Sequence, residues 1–552
     1  MRGFRQPYNR KRQPPKPKVT EVKITDDYKE IVRKSAYLGK KGYTIPKSVI
    51  SKEDEEILRD ELYVKPFVFG ANQNTDVGAF HVFRENANKF YIPRFYGIKR
   101  YGLPDKSEIE EGDDIDVEFT QTVRDYQKNV ISVYMNHINT PICCGNEIRG
   151  NGGILELPCG FGKTICALKM ISDIKKKTLI IVHKEFLMNQ WIERINDFLP
   201  SAKIGKIQGK IFDIEGKDIV IGMLQTLYDK DLGANAFTSF GLTVIDEVHR
   251  IGSEQFSKTL FKTVTPYMLG ISATVDRKDK LTKVLYMYIG DKIYSEGRKD
   301  DDVVCVRAIN YTSRDTDFNE IEYDFRGNPK YSTMISKLCN YGPRSDFIIK
   351  VVDDLLKEDE SKQIMILCHN RSLLKYLYEG ICHRELATIG YYVGGMKQDD
   401  LQTTESKKIV LATYAMAAEA LDIKTLSSLI MVTPKTDITQ SVGRILRVKG
   451  NNPIVVDIVD SHDLFQKQWV QRRRFYKKCN YRIRQIDGDK YTGMSLDWNS
   501  DKTWKWVFEP KELKNDDTET VDDEDDDDNH LKSLKDSKCL LDTSIFDSLK
   551  TE

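Results

Sequence analysis

The sequence predicts an α/β protein of two tandem parallel-sheet units, with a mixed N-terminal extension ahead of them and a partly disordered acidic tail behind. Three observations predict it. From about residue 122, short β-branched runs alternate with longer helical segments, the pattern of a parallel sheet covered by helices. A second alternating series opens near residue 363. The 552 residues, 40% of them hydrophobic, are also too many for one core, because domains hold roughly 100 to 200 residues each.

In the first series, strands are expected over Ile154–Leu157, Thr178–Val182, Asp218–Met223, Leu242–Ile245 and Met268–Ser272. A helix opening at Lys163 sets Ile165, Leu168, Ile171 and Ile174 near one face. In the second series, strands are expected over Gln363–Cys368, Gly390–Val393, Lys408–Ala412, Ser428–Val432 and Ile454–Val459. The chain thus divides into a basic arm (1–20), an N-terminal accessory region (21–115), a first unit (116–285), a connector (286–342), a second unit (343–465), a basic and aromatic extension (466–510) and an acidic, disordered tail (511–552). In the accessory region, short apolar runs punctuated by Gly and Pro favour strands and turns over long helices.

Charge is distributed unevenly although its sum is only +1. Arg2, Arg5, Arg10, Lys11, Arg12, Lys16 and Lys18 make a basic head, and Asp522 to Asp528 form an acidic block. The net balance does not announce a polyanion partner. No stretch approaches the roughly 18 apolar residues of a membrane span, and the first twenty residues lack a secretory apolar segment, so a soluble, intracellular protein without a membrane partner is expected. The ten cysteines include no CxxC pair, and neither a structural disulfide nor a metal framework is expected of them.

Chemistry concentrates in three segments. Leu157-Pro158-Cys159-Gly160-Phe161-Gly162-Lys163-Thr164 lies between an expected strand and an expected helix. There, Gly160 and Gly162 let backbone N–H groups approach phosphate oxygens, Lys163 reaches β- and γ-phosphates, and the Thr164 hydroxyl is offered to Mg²⁺. Leu157 departs from the GxxxxGK[ST] pattern, which has a glycine at that position. Asp246-Glu247-Val248-His249 follows a buried run, so Asp246 is placed to hold Mg²⁺ and Glu247 to orient an attacking water; helix capping is the alternative for an isolated acidic pair. In Gln440-Ser441-Val442-Gly443-Arg444-Ile445-Leu446-Arg447, a helix would present Gln440, Arg444 and Arg447 on one face, suited to stabilising phosphoryl charge; singly, such arginines more often form surface ion pairs.

Taken in order, GFGKT, DEVH, Ser272-Ala273-Thr274 and QSVGRILR resemble motifs I, II, III and VI of superfamily 2 helicases, with DEVH as a DEAH-like box. Val182-His183-Lys184-Glu185-Phe186-Leu187 with Asn189-Gln190-Trp191 is similar to motif Ia, and Ala412-Thr413-Tyr414 through Ala420-Leu421-Asp422 to motif V. Arg124 and Gln127 stand where related helicases contact adenine. The RxYQ segment, Asp276-Arg277-Lys278-Asp279, Thr433-Pro434-Lys435 and Ile92 to Gly97 narrow the resemblance to the XPB/Rad25 branch and its large-DNA-virus relatives, including the poxvirus transcript-release helicase, over roughly residues 60 to 465.

The resemblance implies two RecA-like P-loop units using ATP and Mg²⁺ at their interface. Ser272, Ala273, Thr274 and Thr413 would link that site to the strand, and movement would run 3′ to 5′. It also implies a nucleic-acid partner, DNA ahead of RNA, and a role beside transcription machinery; if the chain is viral, its place is the virion or the host cytoplasm or nucleus. An RNA helicase and a non-catalytic scaffold in a transcription complex are the alternatives. Arg472-Arg473-Arg474-Phe475-Tyr476-Lys477-Lys478, with Tyr481, Arg482 and Arg484, reads equally as a grip on a nucleic-acid backbone and as a solvated helix with packed aromatics; Trp498, Trp504 and Trp506 are expected to pack against the motor. The acidic tail is expected to stay solvated, with mimicry of nucleic acid as its alternative.

Overall fold

The computed structural model describes residues 24–67, 78–139, 150–158, 160–233, 235–250, 254–277, 279–296, 304–325, 327–419, 423, 425–443, 453–491 and 503–510. The basic arm through residue 20, the acidic tail, Cys159, Arg444, Arg447, Trp498 and Ala420 to Asp422 lie outside the described residues, as do the side chains of Arg250 and Gln440.

The first unit is an eight-stranded sheet in the order Ile211–Phe212, Ile204–Gln208, Ile219–Met223, Thr178–Val182, Leu242–Asp246, Tyr267–Ser272, Gly152–Glu156, Lys292–Ser295. All neighbours pair in parallel except the Ile204–Gln208/Ile211–Phe212 hairpin. The central strands are buried along their length, which is why they appear in the sequence as unbroken apolar runs. Helix Lys163–Ile174 buries more than the expected stripe: Cys166, Ala167 and Met170 join Leu168 and Ile171 in the core, while Ile165 and Ile174 are half-buried.

The second unit repeats the plan in the order Ile389–Tyr392, Ile409–Thr413, Gln363–Cys368, Leu426–Met431, Ile454–Asp460, Cys305–Tyr311, Arg482–Asp487, Lys505–Phe508. Only the last pair is antiparallel. The second sheet therefore draws strands from the stretches expected to be connector and extension. Cys305–Tyr311 pairs on one side with Ile454–Asp460 and on the other with Arg482–Asp487. Lys292–Ser295, also in the expected connector, closes the edge of the first sheet beside Gly152–Glu156.

Residues 24–110 build a small antiparallel sheet with one parallel edge, and three helices, Asp26–Ser35, Lys52–Glu61 and Arg94–Tyr101. Pro93 stands at the N-cap of the third, where a missing N–H costs nothing. The apolar core of this region is continuous with one face of the first sheet: Val32, Leu38, Ile45, Leu58 and Phe90 share a cluster with Ile154, Leu179 and Ile181. Arg94, 3% exposed, donates to the carbonyls of Thr265, Pro266 and Gly150 at 3.2, 2.8 and 2.7 Å, which fastens the region to the loops at the base of the sheet. Among the described residues, no helix is long and apolar enough to cross a membrane.

Candidate active site

The loop after strand Gly152–Glu156 opens with Leu157, whose N–H donates to Ser272 O at 2.8 Å and whose side chain is fully buried. Leu157 extends the sheet and packs in the core, so the glycine that the common pattern has there is not needed. Gly160 and Gly162 follow with φ of 81° and 89°, in the left-handed region that favours glycine, and helix Lys163–Ile174 starts directly behind them. A Cβ on Gly162 would stand 2.4 Å from Gln127 Nε2.

Gln127 is 3% exposed and acts on this loop. Its Nε2 donates to Phe161 O at 3.0 Å while its Oε1 accepts the Arg124 N–H at 2.9 Å, and the Tyr126 ring lies edge-on to Phe161 at 4.8 Å. The Arg124 guanidinium donates to Tyr126 Oη at 2.8 Å. Of the pair expected near adenine, Gln127 thus holds the glycine loop through Phe161 O, and Arg124 bonds to Gln127 and Tyr126 beside it.

Asp246 ends the buried strand Leu242–Asp246. Its Oδ2 accepts the Trp191 indole N–H at 2.9 Å and its Oδ1 the Glu247 N–H at 2.9 Å. Burial and the adjacent Glu247 charge push its carboxyl up to about 6, against the Trp191 hydrogen bond and the Lys163 ammonium, which favour the charged form. Glu247 adopts φ 51°, unusual for a residue with a side chain and a mark of strain held where the surroundings demand it. His249 Nδ1 lies 3.3 Å from Glu247 Oε2 and 2.7 Å from Ser272 Oγ, and Ser272 Oγ donates to Thr274 O at 2.6 Å. Arg277 donates to His249 O and is itself oriented by Asp279. Glu156, at the end of the loop's own strand, accepts the Val275 N–H at 2.9 Å.

One edge of one sheet therefore gathers Leu157 to Thr164 (Cys159 apart), Arg124, Gln127, Asp246 to His249 and Ser272 to Thr274, the carboxyl edge where parallel sheets bind ligands. The residues fit a magnesium nucleotide: a glycine cradle that a Cβ would fill, a lysine and a threonine hydroxyl at a helix start, and a buried carboxylate already facing cationic influence.

Thr413 ends strand Ile409–Thr413 on the second sheet. Gln440 falls in the short helix Thr439–Gly443, with its side chain outside the described residues, as are Arg444 and Arg447. Phe186, at the start of helix Glu185–Phe198, packs against the apolar clusters of both units, so the carboxyl edge of the first sheet meets the cluster holding Tyr414, Ile438 and Val442.

In the extension after residue 465, read equally as a nucleic-acid grip and as a solvated helix with packed aromatics, several of these side chains turn inward. Arg472, 1% exposed, pairs with Asp457 through Nε–Oδ2 at 2.7 Å and Nη2–Oδ1 at 2.9 Å; Tyr476 donates to the same carboxylate at 3.1 Å, and Tyr481 is buried. These groups brace the second unit and are not available to a backbone. Trp504 is buried as expected, and Trp506 carries the Arg484 guanidinium over its ring at 3.9 Å. Trp191 is the residue that sequence reasoning placed in a motif without a role; only the folded position of Asp246 supplies one.

Residues 120–277 match the family described as type III restriction enzyme, res subunit. A protein of Acanthamoeba polyphaga mimivirus named as an ATP-dependent RNA helicase is 35% identical over 453 residues, 80% of this chain and 85% of that one. A protein of African swine fever virus named in the same way is 29% identical over 367 residues, covering 60% and 68%. A DNA 3′–5′ translocase of Sulfurisphaera tokodaii is 30% identical over 212 residues, covering 36% and 43%.

Proposed function

Because the chain belongs to the superfamily 2 helicases and is an ATP-dependent helicase, we propose that its ATP lies on the carboxyl edge of the first sheet and that DNA is the track it moves along. The chain Asp246–Glu247–His249–Ser272–Thr274 is the observation that carries the reading, because it joins the expected water-orienting carboxylate to a neighbouring strand end through contacts of 2.6 to 3.3 Å.

Lys163 and the loop N–H groups hold the phosphates, and Gln127 fixes the loop in the shape that receives them. Thr164 and Asp246 would hold Mg²⁺, which when bound would supply positive charge to offset that of the phosphates. Glu247 orients the attacking water, its side chain aimed by His249. Gln440, Arg444 and Arg447 approach from the second unit to stabilise charge on the transferring phosphoryl group, a reading supported by the Phe186 contact between the two units. ATP gripped from both sides favours closure, and loss of the γ-phosphate removes the differential contacts. Thr413 contacts the strand, along which the motor travels 3′ to 5′, and the setting is viral or cellular transcription.

RNA as the track is the second reading, favoured by the names of the two viral relatives, whereas the archaeal relative's name favours DNA. ATPase assays with duplex DNA, single-stranded DNA and RNA decide between them. Stimulation by RNA alone would reject DNA as the track. Lys163→Ala and Glu247→Gln are expected to abolish turnover with every nucleic acid; wild-type rates in either would reject the assigned site.

A further inference from the structure

In the second unit, strands Gln363–Cys368 and Leu426–Met431 run side by side, and each continues into a loop at the carboxyl edge. The first loop starts with His369 and the second reaches Thr433, so the two meet. His369 N–H donates to Thr433 Oγ1 at 3.1 Å, and His369 Nδ1 lies 2.8 Å from the same oxygen. The Tyr414 ring, one residue beyond Thr413, packs on the His369 ring at 4.7 Å and sends its hydroxyl to Thr433 O at 2.6 Å.

The next two carbonyls are held in the same manner from other elements. Pro434 O accepts Tyr331 Oη–H at 3.2 Å, and Lys435 O accepts Arg472 Nη1–H at 3.0 Å. Three consecutive carbonyls, 433 to 435, are therefore fixed by three side chains from separate helices. Thr433 and Tyr414 are 1% and 2% exposed, so these bonds do not compete with bulk water. Four residues further on, helix Thr439–Gly443 leads toward Arg444. The first unit holds a parallel device: His249 to Ser272 Oγ at 2.7 Å, again between the ends of neighbouring parallel strands.

We propose that Thr433 is a positioning residue that transmits nucleic-acid binding at Thr413–Tyr414 to helix Thr439–Gly443 and so to the arginines that follow it in the sequence, as the second unit's counterpart of the His249–Ser272 contact. The inference rests on the placement of ATP proposed above. Its physical content is that the Thr433 backbone cannot shift without moving Tyr414, and the Thr433 hydroxyl ties both to the loop at His369. A strand pressing on Thr413 thereby re-aims the segment that carries Gln440 and the arginines, and the ATP site registers that the track is occupied.

Thr433→Val keeps the shape and removes the hydroxyl, Thr433→Ser keeps the hydroxyl, and Tyr414→Phe removes only the donor to Thr433 O. The full chain is assayed for ATP turnover with and without saturating nucleic acid, with KM for ATP measured in both. Thr433→Val and Tyr414→Phe should each lower nucleic-acid-stimulated kcat about tenfold, with KM for ATP within twofold of wild type, and Thr433→Ser should retain at least half the stimulation. A loss of packing alone would lower the unfolding midpoint and scale stimulated and unstimulated rates together, leaving their ratio in place. An unchanged ratio in Thr433→Val, or a Ser variant as impaired as the Val variant, overturns the proposal. Lys163→Ala in the same assay separates the two readings: if it keeps turnover, the ATP placement fails, whereas a dead Lys163→Ala beside a normal Thr433→Val refutes only the transmission role.

Discussion

Trp191→Phe isolates one hydrogen bond at the carboxylate on which magnesium binding is proposed to depend. The indole N–H reaches Asp246 Oδ2 at 2.9 Å in a fully buried setting, and after the change Asp246 keeps only the Glu247 N–H on its other oxygen. A hydrogen bond to a charged group contributes about 1.5–3 kcal/mol. At about 1.4 kcal/mol per tenfold, its loss corresponds to about 10- to 150-fold in affinity. Outer-shell partners of metal ligands typically alter affinity or activity about 10- to 100-fold, which agrees.

The expected outcome is a 10- to 100-fold fall in kcat/KM for ATP and a matching rise in the magnesium concentration giving half-maximal rate. Steady-state ATPase across a magnesium titration measures both, with circular-dichroism melting as the control for the smaller ring. Nucleotide affinity in the Asp246→Ala background, which leaves the indole no acceptor there, supplies the sharper check. If the indole acts only through Asp246, adding Trp191→Phe there changes nothing further. A Trp191→Phe protein that is folded and within threefold of wild type at every magnesium concentration refutes the reasoning.

Arg472→Ala should destabilise the second unit by about 3–5 kcal/mol, because it strands the buried Asp457 carboxylate. Urea unfolding followed by fluorescence reads this, since four of the five tryptophans lie at or beyond Trp469, and a wild-type midpoint would contradict it. Gly162→Ala forces a side chain into φ 89° and against Gln127, so KM for ATP should rise at least about tenfold; an unaltered KM would show that the loop takes another shape when it binds. His369 is half-buried and held neutral, pushed down to about 3 by desolvation, with Lys435 adding to the shift. Its folded value lies below its unfolded one, so its stabilising contribution is present above pH 6.5 and is lost as pH falls from there toward 3. Relative to His369→Gln, the wild type should lose about 2 kcal/mol of stability between pH 6.5 and 5, from about 1.4 kcal/mol per pH unit. Parallel pH-dependence in the two proteins would remove His369 as the cause.

The strands that were legible in the sequence are those buried on both faces, such as Thr178–Val182 and Gln363–Cys368, because nothing interrupts their apolar run. Two strands one place in from the sheet edges escaped for the converse reason. Ile204–Gln208 alternates buried and half-exposed residues, and Arg482–Asp487 spaces its two buried residues among polar ones. Cys305–Tyr311 is hidden differently: Arg307 sits inside it, and the Glu358 that neutralises Arg307 through a 2.7 Å contact lies 51 residues away. Arg472 shows the limit of reading charge in one dimension, since Asp457 settles its role from another element; yet Phe465, Trp469, Arg472 and Tyr476 recur at helical spacing, a signal that this arginine shares the inward face. The candidate site was legible residue by residue wherever backbone shape or charge type dictates the chemistry, as at Gly162, Lys163 and Asp246. The contacts among those residues, Gln127 on Phe161 or Trp191 on Asp246, required the folded strand order.

The second unit keeps two kinds of buried polar contact, and their magnitudes separate fixed parts from moving ones. Arg344 on Asp460, at 2.6 and 2.8 Å, and Arg472 on Asp457 are ion pairs sealed from water, costing about 3–5 kcal/mol to break. The contacts at Thr433, like those of Ser272 in the first unit, are between neutral or singly charged groups and contribute about 0.5–1.5 kcal/mol each. Coupling between two binding sites typically amounts to about 1–3 kcal/mol. ATP or a nucleic-acid strand can therefore remake the hydroxyl contacts within one cycle, but cannot open the ion pairs. On the transmission role proposed above, the arginine–carboxylate braces would serve as the frame against which the hydroxyl contacts move, and Arg472, holding Lys435 O while paired with Asp457, would join frame to moving part.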